Sequence, residues 1–337
     1  MSKSTDILTV LKLTPEEILQ DYRFALQSRE ASLLGRTEVL TGKAKFGIFG
    51  DGKELPQLAM SRVFQKGDFR SGYYRDQTFM FARGMSTLSE FFAQLYANTD
   101  THLEPSSSGR QMNCHFSTSF LNSDGSWKSL TDCYNSSADV SPTGSQMPRL
   151  LGLAYASKLY RELSSLHEST SFSRNGNEIA FGTIGNASCA EGMFWETVNA
   201  AGVLQVPLLL SIWDDEYGIS VHNEYQITKK NLSEVLKGFQ RGQGGPLGYE
   251  LFTVKGWDYP ALVETYRKAA QITRTEHIPV IIHVIEVTQP QGHSTSGSHE
   301  RYKSKERLVW EHDFCCIRKM REWILSQQIS TIKELDT

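Results

Sequence analysis

The chain has few cysteines, no long apolar run and no marked excess of either charge. Its five cysteines in 337 residues show no CxxC spacing, and Cys315 and Cys316 are adjacent. An odd count without a disulfide framework points to reduced thiols in a cytoplasmic protein. No stretch approaches 18 apolar residues, so no membrane span is expected. The opening MSKSTDILTVLKLTPEE lacks the apolar core and cleavage signal of a secretory peptide. A net charge of -3 without a basic run leaves no nucleic-acid footprint. No internal repeat is visible. No GxGxxG follows a strand, which argues against a nicotinamide-binding Rossmann protein.

What is present is an α/β pattern. A hydrophobic fraction of 39% suffices for a core. Length alone allows two or three domains, and one large α/β domain equally well. Thr14 as N-cap and Pro15 in the first turn open a helix over 15–40. Further helices are expected at 54–65, 87–97, 145–165, 258–276 and 305–327. Residues 68–76 read as strand or loop. The tract 98–145 is rich in Ser, Asn, Gly and Asp, and loops of that length are usually functional or disordered. Strands are expected at 249–254 and 279–287, with a polar loop over 288–304.

The most informative segment is EIAFGTIGNASCAEGMFWETVNAAGVLQVPLLLSIWDDEYGIS, residues 178–220. Two apolar runs, 178–184 and 207–213, read as strands buried on both faces. The helix between them opens with Asn186, Ala187, Ser188 and Cys189. Such a crossover makes parallel neighbours whose C-terminal ends point the same way. Ligands of open parallel sheets bind at that edge. Asn186 and Asp215 lie just past the two ends, 29 residues apart. An amide oxygen and a carboxylate beside a helix N-terminus suit a hard cation carrying a phosphate.

This segment resembles the thiamine diphosphate motif, GDG or GEG followed about 30 residues later by NN. Here Gly185-Asn186-Ala187 and Asp214-Asp215 stand in those places, so acid and amide have exchanged. Four more segments resemble the decarboxylating component of 2-oxo acid dehydrogenases, alpha subunit or alpha portion. They are YYRDQTFMFARGMS (73–86), GRQMNCHFS (109–117), SPTGSQMPRLLGLAYASK (141–158) and QPQGHSTSGSHERYKS (289–304). The GRQM loop is similar to the branched-chain type. The five segments keep the family's order, and the resemblance runs from about residue 15 to the C-terminus.

The resemblance implies a thiamine diphosphate-binding fold: a largely parallel sheet with helices on both faces, in a single domain with an N-terminal helical arm over about 1–45. It implies an oxidoreductase that decarboxylates a 2-oxo acid, a branched-chain one favoured, and passes the acyl group to a lipoyl acyltransferase component. It also implies a beta subunit or beta portion in an α2β2 assembly, and the chain reads as the alpha part of a longer alpha–beta fusion or as a separate subunit. Thiamine diphosphate and Mg2+ are the implied cofactors.

By position, Arg75 matches the arginine that grips the diphosphate, with Tyr74 beside it. His293 and His115 match the two loop histidines of the catalytic machinery, and His293 also meets the cofactor. Ser141 and Thr143 match backbone contacts to the aminopyrimidine. Gly185, Asn186, Ala187, Glu191, Gly192 and Asp215 complete the expected cofactor contacts. Asn186, Asp215 and the Tyr217 carbonyl are the expected metal ligands. Ser294 and Ser296 align with serines that are phosphorylated in mitochondrial relatives.

Departures accompany the match. Trp213 replaces an arginine that contacts the diphosphate in the branched-chain enzyme. Pyruvate- or acetoin-type enzymes, or a non-catalytic partner with the same fold, are the other readings. Gly50-Asp51-Gly52 is a literal GDG, but no buried strand precedes it and no NN-like partner follows. It matches the loop before an N-terminal helix and is not expected to hold a metal.

Overall fold

The computed structural model describes residues 8–242 and 245–336. Six strands form one all-parallel sheet, with β1 (Phe69–Ser71), β2 (Asn135–Ser136), β3 (Ala180–Gly185), β4 (Leu208–Trp213), β7 (Glu250–Lys255) and β8 (Val280–Ile285) in the order β2-β1-β3-β4-β8-β7. A small antiparallel hairpin, β5 (Tyr217–Gly218) and β6 (Val221–His222), stands apart.

Alternation along the strands sorts the side chains into two cores. Phe181, Leu209, Val280 and Ile282 face α1 (Pro15–Leu40), α2 (Glu54–Val63) and α8 (Tyr259–Glu276). Ala180, Leu208, Leu210 and Ile281 face α5 (Gln146–Glu162) and α6 (Gly192–Leu204). Helices therefore cover both faces, which is why β3, β4 and β8 read as nearly unbroken apolar runs. Among the described residues, no helix is long and apolar enough to cross a membrane.

Local signals set several boundaries. The α1 start is a capping box: Glu17 N–H donates to Thr14 Oγ1 and Thr14 N–H to Glu17. The same device at Thr87 and Glu90 opens α4 (Leu88–Leu95). A short helix, α3 (Gln77–Ala82), follows the Tyr73–Arg75 turn, in a stretch the sequence pattern left unread. So does α7 (Leu232–Leu236), after the hairpin.

Two expectations are corrected. The C-terminal helix expected over 305–327 is two, α9 (Lys305–Asp313) and α10 (Cys316–Ser326). Tertiary contacts turn the chain between them: Phe314 packs on Trp257, Arg29 donates to Cys315 Sγ, and Cys316 Sγ donates to Glu54. A short α11 (Ile332–Leu335) follows. Second, Asn186 does not open the crossover helix. A 3-10 turn over Ala187–Ala190 intervenes, and α6 begins after Glu191.

Candidate active site

Three strand ends converge. Gly185 and Trp213, the last residues of β3 and β4, are paired, and Trp213 is paired in turn with Val284 of β8. Asn186, Asp214-Asp215 and the loop from Thr288 to His293 therefore leave the sheet side by side. Beside them lies a cavity of about 360 Å3. Of the residues expected from sequence, Tyr74, Arg75, Thr143, Gly185 and Asn186 line it, together with Ala187, Glu191, Asp215, Tyr217 and His293. Ser141, Gly192 and His115 do not. A Cβ added at Gly192 meets nothing within 4 Å, so this chain itself does not require glycine there.

A buried ion cluster fixes the Tyr73–Arg75 turn. Arg70, on β1, is fully buried and donates to both Asp76 and Asp139 at 2.7–3.0 Å. It also donates to the Tyr73 carbonyl at 3.2 Å. Losing Arg70 would leave two buried carboxylates without their partner. The braced turn presents Tyr73, which the sequence reading overlooked, to the cavity. Arg75 ties this turn to two neighbours, donating to the carbonyls of Phe49 at 2.5 Å and His293 at 2.9 Å. Its guanidinium thus holds the His293 loop while it lines the pocket.

At the crossover, Asn223 links Asn186 to Asp214. Asn186 Nδ2 donates to the Tyr217 carbonyl at 3.2 Å and to Asn223 Oδ1 at 2.8 Å. A carbonyl only accepts, so the amide nitrogen must face Tyr217. A carboxylate at 186 has no proton to give there. Asn223 in turn donates to Asp214 Oδ1 at 2.9 Å, and Asp214 Oδ2 meets His283 Nε2 at 2.8 Å. Asp214 is therefore bound into the sheet edge, while its neighbour Asp215 reaches the pocket.

Asp215 has a partner the sequence reading missed. Lys53 Nζ donates to Asp215 Oδ2 at 3.1 Å, Gln289 Oε1 at 2.6 Å and the Thr288 carbonyl at 3.3 Å. Lys53 is 1% exposed. A lysine that buried needs a charge partner. Burial pulls its pKa below the usual lysine range, and Asp215 opposes that. Burial would raise the Asp215 carboxyl, but Lys53, Lys303 and Arg75 together hold it below the ordinary range. The other Asp215 oxygen accepts from Tyr217 N–H at 3.2 Å.

The Gly50-Asp51-Gly52 loop delivers Lys53. Gly52 has φ +87, and a Cβ there would lie 2.1 Å from the Thr288 carbonyl oxygen. A Cβ at Gly50 would lie 2.3 Å from the Arg75 carbonyl oxygen. Both glycines permit backbone contact that no side chain allows. Asp51 itself is buried, accepts from Gln291 N–H at 3.2 Å, and does not line the cavity. One signal for Lys53 was available: a lysine at a helix N-cap opposes the macrodipole, which suggests it answers to something else.

The two expected histidines differ. His293 lines the cavity, and its pKa is pushed down to about 3 by burial first and by Arg75 second. It is therefore neutral at pH 7. His115 is 2% exposed and lies behind Tyr74, with ring centroids 6.3 Å apart. Its Nδ1 faces the Asn113 carbonyl at 3.2 Å and so carries a proton, and its Nε2 shares a hydrogen bond with Ser141 Oγ at 3.0 Å. Its position is that of a support for the pocket wall. Trp213 is fully buried and lines the cavity, and its indole N–H has no partner among the described residues.

The sequence model of the dehydrogenase E1 component family matches residues 34–337. The chain belongs to that family. It is 26% identical over 310 residues to the 2-oxoisovalerate dehydrogenase subunit alpha of Bacillus subtilis (strain 168), covering 90% of this chain and 81% of that one. It is 25% identical over 285 residues to 2-oxoisovalerate dehydrogenase subunit alpha 1, mitochondrial, of Arabidopsis thaliana, covering 84% of this chain and 52% of that one. It is also similar to the pyruvate dehydrogenase E1 component subunit alpha, mitochondrial, of Solanum tuberosum, 24% over 332 residues, covering 96% and 72%. The chain spans only about half the length of the Arabidopsis thaliana subunit and of other mitochondrial relatives that it matches.

The E1 family implies thiamine diphosphate, and the pocket's chemistry suits its phosphates. Lys53 and Arg75 line it, and the Trp213 N–H is a buried donor awaiting an acceptor. The donor set does not suit a divalent ion. Both Asp215 oxygens and the Tyr217 carbonyl already accept protons from this chain.

Proposed function

We propose that this E1 chain holds the diphosphate of thiamine diphosphate and serves as the alpha part of an enzyme that oxidatively decarboxylates a 2-oxo acid, with a branched-chain acid as favoured substrate. The observation that carries this reading is the cavity at the β3, β4 and β8 ends, where Arg75, Trp213 and His293 meet. Arg75 offers a guanidinium suited to phosphate oxygens. Trp213 supplies an N–H in place of the arginine of the branched-chain enzymes. The cofactor, when bound, supplies the electron sink for loss of carbon dioxide.

Of this chain's own residues, His293 enters as a neutral imidazole. It can accept or donate a hydrogen bond to the substrate without adding charge. The Arg75 bond to its carbonyl fixes where it sits. His115, Tyr74 and Ser141 support the same wall. The acyl group passes to a lipoyl acyltransferase component, and a beta subunit or beta portion completes the site in an α2β2 assembly. Magnesium is left out of this reading because the Asp215 oxygens and the Tyr217 carbonyl already accept hydrogen bonds within the chain.

The test is carbon dioxide release and lipoyl acylation by the assembled enzyme on a panel of 2-oxo acids. Turnover of 2-oxoisovalerate above pyruvate is the expected result. Turnover of pyruvate alone would move the assignment to a pyruvate-type enzyme. A folded assembly that binds the cofactor but turns over no 2-oxo acid would contradict the catalytic reading.

A further inference from the structure

We propose that this site takes its organic diphosphate without a divalent metal ion, with the Lys53 ammonium and the Asn186 amide standing where an ion would otherwise join residues 186, 215 and 217. The inference rests on the reading of the cavity as a thiamine diphosphate site and concerns how that ligand is held.

A divalent ion is bound where oxygen lone pairs converge on a common centre without protons between them. Here a proton of this chain already meets each Asp215 oxygen and the Tyr217 carbonyl. Lys53 Nζ lies 3.1 Å from Asp215 Oδ2, and Tyr217 N–H meets Asp215 Oδ1. Asn186 Nδ2 bridges to the Tyr217 carbonyl, the contact an ion would otherwise mediate. The exchange of acid for amide at 186 has a direct consequence. An amide joins that carbonyl by itself, whereas a carboxylate would need a cation between them.

Charge points the same way. A second cation placed against Asp215 would face the Lys53 ammonium across a buried site, where repulsion is weakly screened. The ammonium instead neutralises Asp215 in place. Lys53 and Arg75 both line the cavity and present positive charge to a phosphate. The longest Lys53 contact, 3.3 Å to the Thr288 carbonyl, is the one a phosphate oxygen replaces. Trp213 adds an unpartnered buried N–H on the same wall. The Gly50 and Gly52 close approaches hold Lys53 in reach, so the cation belongs to the fold.

The experiment is calorimetric titration of thiamine diphosphate into the full chain in its native assembly, stripped of divalent ions, in EDTA and then in excess magnesium. The expected Kd differs by less than about threefold between the two conditions, under 1 kcal/mol. Lys53→Met, confirmed folded by circular dichroism, is expected to weaken binding in EDTA by about tenfold or more. Asn186→Asp, which keeps shape but cannot donate to Tyr217, is expected to bring in magnesium dependence. Wild-type binding that requires magnesium overturns this inference and leaves the proposed function standing. Absence of binding in both conditions overturns both. Should Lys53→Met fail to fold, the wild-type comparison alone decides. A folded Lys53→Met with unchanged affinity in EDTA overturns the role of Lys53, and magnesium-indifferent Asn186→Asp overturns that of Asn186.

Discussion

Asp215, at the end of β4, and Lys53, at the start of α2, are 162 residues apart in sequence and 3.1 Å apart in space. The first belongs to a strand–helix–strand crossover whose local spacing already announces a ligand edge. The second follows a loop that carries a literal GDG, of which no residue lines the cavity. The crossover contributes acceptors, and the loop contributes the cation that saturates them. A motif departure at one place can therefore be answered by a residue outside the motif. Exchange of acid and amide reads as damage when the crossover is considered alone. With Lys53 in view, the exchanged residues form a closed set of hydrogen bonds.

Breaking the loop should have the largest effect. Gly52→Ala forces a Cβ against the Thr288 carbonyl at a φ of +87, and a loss of about 4 kcal/mol in urea unfolding is expected. Lys53→Met removes the partner of a buried carboxylate and should cost about 3 kcal/mol in the same assay. If either variant were as stable as wild type, the loop would not be the rigid carrier described. A Lys53→Met/Asp215→Asn double-mutant cycle isolates the link between the two regions, with an expected coupling of about 1–2 kcal/mol.

A smaller effect follows from His293. Its folded pKa of about 3 lies below the ordinary 6.5. Between those values the unfolded chain takes up a proton that the folded chain refuses. Stability contributed by neutral His293 is thus complete above about pH 6.5 and is lost as pH falls toward 3, by at most about 1.4 kcal/mol per unit. Thermal unfolding from pH 7 to 5 should fall more steeply for wild type than for His293→Gln. Parallel curves would refute a buried neutral imidazole. Glu191→Ala, at the exposed rim of the cavity, should change stability by less than about 0.5 kcal/mol. A larger loss would mean that the rim, too, is structural.

Much of the fold was legible because it is written locally. Thr14 and Pro15 mark the start of α1, and the apolar runs 178–184 and 207–213 mark the strands Ala180–Gly185 and Leu208–Trp213, covered on both faces. The break between α9 and α10 was not legible, because contacts of Phe314, Cys315 and Cys316 with distant residues impose it. In the site, Arg75, Asn186, Asp215 and His293 carried motif context and proved to share one cavity. His115 carried the same context but packs behind Tyr74. Lys53, Tyr73 and Asn223 were missed because their roles depend on register between strand ends. No spacing rule encodes the approach of Gly50 and Gly52 to the carbonyls of Arg75 and Thr288.

The most direct measurement is a crystal structure of the native assembly with thiamine diphosphate and manganese, recorded for anomalous scattering. Phosphate oxygens within hydrogen-bond distance of Lys53 Nζ, with no anomalous peak between residues 186, 215 and 217, are the predicted result. A manganese peak among those residues, with Lys53 turned away from Asp215, would contradict it.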